Sequence, residues 1–162
     1  PAGFNPDPRT PLMGGRLYSE ATADAAEADY DAHRLSIGLP DPTADAPQDK
    51  TYPIEADFDL LNGIDFQKGC FVGQETTSRM KRRGTIKNRM LPLDFDGPVP
   101  AFGAEVLKGE LRAGEVLSGR DGSVMALLRI DRIDGDLTVD GRPVRLRKPA
   151  WMGEDVLPSS NA

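Results

Sequence analysis

The sequence predicts an α+β chain: helix and loop over residues 1–84, a small antiparallel β-barrel or sandwich over 85–152, and a frayed tail over 153–162. Three observations carry that division. From residue 85 onward, short apolar-rich segments recur between Gly or Asp-Gly turns, the pattern of a small all-β unit. Ahead of them lie alanines at steps of three and four, and a charged run bounded by glycines, both helical patterns. A length of 162 residues suits one domain or two small ones, and a chain of this size buries roughly 68–70% of its unfolded surface.

The totals narrow the function. One cysteine, Cys70, makes no internal bridge, which fits a reducing compartment. No apolar run approaches about 18 residues, so no membrane partner is expected. The N-terminus lacks the basic-then-apolar order of a signal peptide, and without an initiator Met the sequence reads as a trimmed piece. A net charge of −6 argues against bulk nucleic-acid binding. Charge is unevenly distributed, however. Residues 79–89 hold six basic side chains and no acidic one, which leaves the remainder of the chain at −12. That stretch reads either as a solvated face or as a site for an anion or an acidic partner.

Residues 1–15, rich in Pro and Gly, predict loop, with a short extended segment at 16–18. Residues 19–38 predict a helix capped by Ser19, with Glu20 in its first turn and Ala21, Ala25, Ala28, Ala32 and Leu35 on one face. Gly38, with Pro40 behind it, ends that helix. His33, the only histidine, reads as a structural hydrogen-bonding residue. Residues 39–53, with four prolines, predict a surface loop, and Asn62-Gly63 a turn.

The stretch Phe66-Gln-Lys-Gly-Cys-Phe-Val-Gly-Gln-Glu75 then sets Cys70 between Gly69 and Gly73, which let a ligand or partner approach closely. Gly73 as N-cap, Glu75 in the first turn, Lys81-Arg82-Arg83 in the last and Gly84 beyond predict a helix over 74–83. Cys70 would lie on the loop leading to its positive end, near Lys68 and Arg79, which favours the thiolate. A small buried hydrophobe is the other reading of a lone cysteine. Strand candidates follow at 89–95, 104–107, 114–118, 123–130, 137–139 and 143–147. Turns are expected at Asp96-Gly97, Gly119, Asp121-Gly122, Asp134-Gly135 and Asp140-Gly141. Trp151 is expected to pack on the barrel end.

The run Lys68-Gly69-Cys70-Phe71-Val72-Gly73-Gln74-Glu75, with Arg79 and Gly84 in register, resembles the signature of the folate-binding YgfZ family. Asp7-Pro8-Arg9 and Tyr30-Asp-Ala-His33-Arg34-Leu-Ser36-Ile-Gly38-Leu-Pro40 are similar to its mitochondrial branch. The resemblance implies an aminomethyltransferase-like α+β domain, whose C-terminal part is residues 1–84, followed by a β-barrel. It implies iron–sulfur cluster assembly or repair in a bacterial cytoplasm or a mitochondrial matrix. Cys70 would be the working residue, aided by Lys68 and Arg79 and framed by Gly69, Gly73, Gln74 and Glu75. It would ligate a [2Fe-2S] or [4Fe-4S] cluster shared with an A-type carrier protein. Family chains have a further N-terminal region that would complete any pocket. Tyr30, Arg34 and Ser36 are the implied tetrahydrofolate contacts. Ser36 stands where the aminomethyltransferases have a glutamate, and a hydroxyl cannot reproduce a carboxylate's paired acceptance from the pterin edge. The competing reading is a tetrahydrofolate-dependent aminomethyltransferase or other one-carbon transferase.

Overall fold

The structure, a computed structural model, describes residues 3–20, 22, 24–47, 50–70, 72–82 and 86–157. Its centre is a closed barrel of six antiparallel strands: β3 (Asn88–Phe95), β4 (Glu105–Lys108), β5 (Leu111–Arg120), β6 (Ser123–Arg129), β7 (Leu137–Val139) and β8 (Arg142–Leu146). They run round the barrel in the order β3-β6-β5-β4-β7-β8, and β8 closes onto β3 through Leu93↔Leu146 and Phe95↔Val144. Every predicted strand is present. The Asp121-Gly122 and Asp140-Gly141 pairs both adopt positive φ, the two-residue turn that matches the twist of the strands it joins. Gly119, expected as a turn, instead lies within β5. A Cβ there would stand 2.4 Å from Val124 Cγ1. It is glycine because the neighbouring strand's side chain occupies its place.

Alternation fills the barrel. Leu91, Leu93 and Phe95 of β3, Val124, Ala126 and Leu128 of β6, and Val106, Leu137, Val139 and Val144 point inward into one buried cluster. The alternate positions of β3, β5 and β6 are also apolar: Met90, Leu117 and Met125 form a second buried cluster on the outside of the barrel, with Leu35 and Ala56. Pro92 stands mid-β3, where the β8 ladder has not yet begun, so the missing N–H breaks no bond to that strand.

The N-terminal elements cover that outer face. Two short strands, β1 (Asn5–Pro6) and β2 (Gly15–Arg16), form a ribbon around Asp7. Arg9 and Arg16 both pair with the Asp7 carboxylate, Arg9 first, and hold it well below the usual carboxylate range. Helix α1 runs over Glu27–Ser36, shorter than the predicted 19–38. Asp29 accepts from Ala26 N at 2.8 Å and starts the helix there, and Ala25 and Ala28 are exposed. Ser19 and Glu20 precede the helix, and Ala21 lies outside the described residues. Methyl groups on this stripe remove too little surface from water to hold an upstream turn against its ordering entropy.

The end of α1 matches the expectation. Leu39 N donates to Arg34 O and Gly38 N to Leu35 O, a Schellman stop with Gly38 at φ 68°. The barrel completes it: Arg147 donates to Leu35 O (2.8 Å) and Ser36 O (2.6 Å), and Trp151 Nε1 to Ile37 O (3.0 Å). The predicted loop at 39–53 contains one helical turn, α2 (Pro42–Asp45), capped by Asp41 with Pro42 as its first residue. The turn buries Asp45 completely against Arg34, itself 1% exposed. Arg34 reaches Asp45 at 2.8 Å, Asp31 at 2.6 Å and Ser118 Oγ of β5 at 3.1 Å, and Ser118 in turn donates to Asp45.

A second buried arginine ties residues 54–59 to the start of β3. Arg89 Nη1 donates to Asp57 (2.7 Å), Asp59 (2.9 Å) and Ile54 O (3.1 Å), and Nη2 donates to Asp59 (2.9 Å). Asp57 is fully buried, adopts φ 61° and leaves Oδ2 without a hydrogen-bond partner among the described residues. Burial pushes its carboxyl up to about 7, against the pull of Arg89. The expected frayed tail is also partly docked: Val156 and Leu157 pack against the barrel core, and residues 158–162 lie outside the described set.

Arg34→Leu should strand two carboxylates and lower unfolding free energy by about 3–5 kcal/mol, measurable by urea titration. Asp57 gives a pH signature. Its folded state binds the proton more tightly than the unfolded chain, so its contribution to stability is complete below about pH 4 and is lost as pH rises to about 7. Asp57→Asn should flatten that decline in a series of urea midpoints across pH 4–8.

Candidate functional site

Cys70 sits in the open. It is exposed, on a loop that leaves the 52–62 turns and runs to helix α3 (Gln74–Arg82). The expected helix at 74–83 is thus present through Arg82, while Arg83, Gly84 and the motif's Phe71 lie outside the described residues. Gly73, at φ 81°, receives Thr77 N at 3.2 Å on its carbonyl and so begins α3 as the spacing predicts. A Cβ added at Gly69 or Gly73 would meet nothing within 4 Å. The two glycines therefore leave the backbone on either side of the thiol clear, and only Gly73 also needs glycine's left-handed freedom.

Of the cations expected near the thiol, Arg79 is paired within its own helix and Lys68 is positioned through its backbone. Arg79 donates to Glu75 at 2.8 Å, one helical turn back, with both side chains largely exposed. Lys68 follows an Asx-type turn in which Asp65 Oδ1 accepts from Gln67 N (2.8 Å) and Lys68 N (3.3 Å). Lys81 supplies a contact that sequence reasoning did not anticipate: its Nζ stands 3.6 Å from the centroid of the Phe66 ring. An ammonium over an aromatic face is attracted by the ring quadrupole. This contact fastens the start of the cysteine loop to the last turn of α3.

Beside the loop is an open groove of about 420 Å³. It is lined by Tyr52, Phe58, Ile64, Asp65, Lys68 and Val72, with Thr76 and Thr77 of α3. The Tyr52 wall belongs to the same 52–62 segment that Arg89 anchors to the barrel. Among the described residues, no three His, Cys, Asp or Glu side chains gather in a way that could hold a metal ion.

The implied folate contacts lie on a different element. Tyr30, Arg34 and Ser36 all belong to α1. Tyr30 is partly exposed, with its hydroxyl 3.3 Å from both Arg9 Nη1 and Asp41 Oδ2. Ser36 is exposed and donates to His33 O at 2.7 Å. Arg34 differs from both: it is buried, and its donors face Asp31, Asp45, Leu39 O and Ser118. In this chain it binds α1 to α2 and β5. His33 Nε2 donates to Leu12 O at 3.0 Å, a structural bond between α1 and the N-terminal ribbon.

Residues 87–154 match the family described as the CAF17 C-terminal β-barrel domain. The mouse iron–sulfur cluster assembly factor IBA57, mitochondrial, is 33% identical over 147 residues, which cover 82% of this chain and 41% of that protein. The human factor of the same name is 34% identical over 90% of this chain and 46% of its own length. The Neurospora crassa homologue is 37% identical over 69% of this chain and 28% of its own. The chain thus spans less than half the length of these curated relatives.

Cys70 should be fully alkylated by iodoacetamide in native buffer without denaturant. Gly73→Ala should weaken the start of α3 by about 1–2 kcal/mol, because alanine must adopt a left-handed φ there, whereas Gly69→Ala should be neutral. Amide exchange across residues 74–82 reads the difference.

Proposed function

We propose that this chain, which belongs to the YgfZ/IBA57 family and carries its C-terminal β-barrel, serves iron–sulfur cluster assembly through Cys70. Its homologues are IBA57 cluster assembly factors by name. The observation that carries the reading is the exposure of Cys70 between two uncrowded glycines, on a loop anchored at its start by the Lys81–Phe66 contact. An exposed thiol on an anchored loop can offer one thiolate to iron without rearrangement of the fold. One thiolate cannot complete an iron's tetrahedral shell. A [2Fe-2S] or [4Fe-4S] cluster would therefore be held jointly, with an A-type carrier protein supplying the remaining ligands.

The same family kinship supports an aminomethyltransferase-like origin for residues 1–84, with the longer N-terminal portion found in the relatives completing that domain. Tetrahydrofolate binding would then use Tyr30 and the exposed face of α1. Arg34 would contribute by holding α1 in place, since its guanidinium is already enclosed. The names of the relatives favour the mitochondrial matrix over the bacterial cytoplasm. Neither the barrel nor the relatives favour the one-carbon transferase alternative, and Ser36 in place of a carboxylate weighs against it.

The test is anaerobic reconstitution with an A-type carrier, iron and sulfide. Wild type should develop cluster absorbance shared by the two proteins. Cys70→Ser should abolish that absorbance while leaving the melting temperature within a degree or two, as expected of an exposed side chain. A large fall in melting temperature with the shared absorbance retained would return Cys70 to a packing role.

A further inference from the structure

Two carboxylates share one cation where the 52–62 segment meets the barrel. Asp59 takes the fork of Arg89, accepting from Nη1 and Nη2 at 2.9 Å each, and so already balances its charge. Asp57, fully buried, accepts only from Nη1, through Oδ1 at 2.7 Å. Its Oδ2 and Arg89 Nε have no hydrogen-bond partner among the described residues. Ionised together, the two acids leave one negative charge without a counter-charge and out of reach of water, which is costly. A proton on Asp57 removes that charge. Asp57 also holds φ 61°, a left-handed backbone that its surroundings must enforce.

The other charged groups around this turn leave the excess standing. Glu55 is a third buried acid, engaged by Asn88 Nδ2 of β3 at 2.8 Å. On α1, whose Leu35 packs with Ala56, Arg34 is closed off by Asp31 and Asp45. Lys81 of α3 and Asp155 of the tail border the hollow next to Asp59 and Arg89, one of each sign. His33, the only histidine, lies on α1 and bonds to Leu12 O.

The same turn carries the start of the cysteine loop. Phe58, between the two acids, accepts Gly63 N (2.8 Å) and Ile64 N (3.2 Å) on its carbonyl, and Asp57 O accepts Leu60 N and Leu61 N. Glu55 O accepts Met90 N of β3 at 2.8 Å, the main-chain bond that joins Arg89 in tying the turn to the barrel. We propose that the Asp57–Arg89–Asp59 cluster is a proton-operated latch: with Asp57 protonated it holds the 54–61 turn on β3, and with Asp57 ionised it lets that turn lift and frees the start of the cysteine loop. The latch is independent of what Cys70 binds. Its sign follows from the two states of the turn. The Asp57 carboxyl, pushed by burial up to about 7 in the closed turn, returns to about 4 when the lifted turn exposes it to water. Lifting therefore releases a proton between those limits. The lifted population grows about tenfold per pH unit until about pH 7 and levels off above it.

The test is amide hydrogen exchange on the 162-residue chain from pH 5 to 8, corrected for intrinsic rates. Opening constants at Leu60, Leu61, Gly63 and Ile64 should rise by about tenfold or more between pH 5 and 7 and then level off. At every pH they should exceed those of Val124 and Ala126 in β6, which marks a local lifting and not unfolding of the barrel. Asp57→Asn keeps an acceptor for Arg89 and suits a left-handed φ, and should make opening of the turn independent of pH. Asp59→Asn leaves Arg89 to Asp57 alone, so the levelling-off should move down by about a pH unit or more. Turn amides that exchange no faster than those of β6 would confine Asp57 to global stability and overturn the latch. So would a wild-type pH profile in either variant.

Discussion

A small barrel closes its inner face by itself, but here the outer face of β3, β5 and β6 is apolar too, and that face has to be covered. Met90, Leu117 and Met125 would otherwise lie in water; Leu35 of α1 and Ala56 of the 52–62 segment remove them from it. This one requirement organises the first half of the chain. It fixes where α1 ends, why α2 turns back at Asp45, and where the 52–62 segment must run before it releases the cysteine loop.

Apolar cover alone does not fix orientation, and arginines supply that. Arg34 reaches from α1 to α2 and β5, Arg89 from β3 to residues 54–59, and Arg147 from beyond β8 to the last carbonyls of α1. Each planar guanidinium satisfies several acceptors at fixed angles, which a lysine could not do. The seam is therefore directional as well as greasy. The loop that carries the thiol departs from one of its ends.

Much of this was legible in the residues. The barrel strands show in their two-residue alternation and the Asp-Gly pairs, because both signals are local. The end of α1 shows in Gly38, and the start of α3 in Gly73, for the same reason. Gly119 misleads because glycine marks a close approach as readily as a turn, and only the position of Val124 distinguishes the two. The beginning of α1 misleads because alanine favours helix without providing anything to pack. The turn at α2 could have been found from Asp41-Pro42, a cap followed by a first-turn proline. Arg34 among the folate residues reflects pattern without partner: nothing in the spacing shows that Asp45, eleven residues on, closes over it. The Lys81–Phe66 contact was equally hidden, since it depends on the path of a loop with no periodicity.

Closure of the barrel has a consequence for how such a protein meets others. With β8 hydrogen-bonded back to β3, the barrel has no strand whose whole edge is open to a foreign strand. Recruitment by main-chain zippering is therefore disfavoured for the barrel, and recognition on it falls to side chains. A module of this kind acts as a pedestal: it carries the 52–62 segment from which the cysteine loop departs, and meets the rest of the chain largely through side chains.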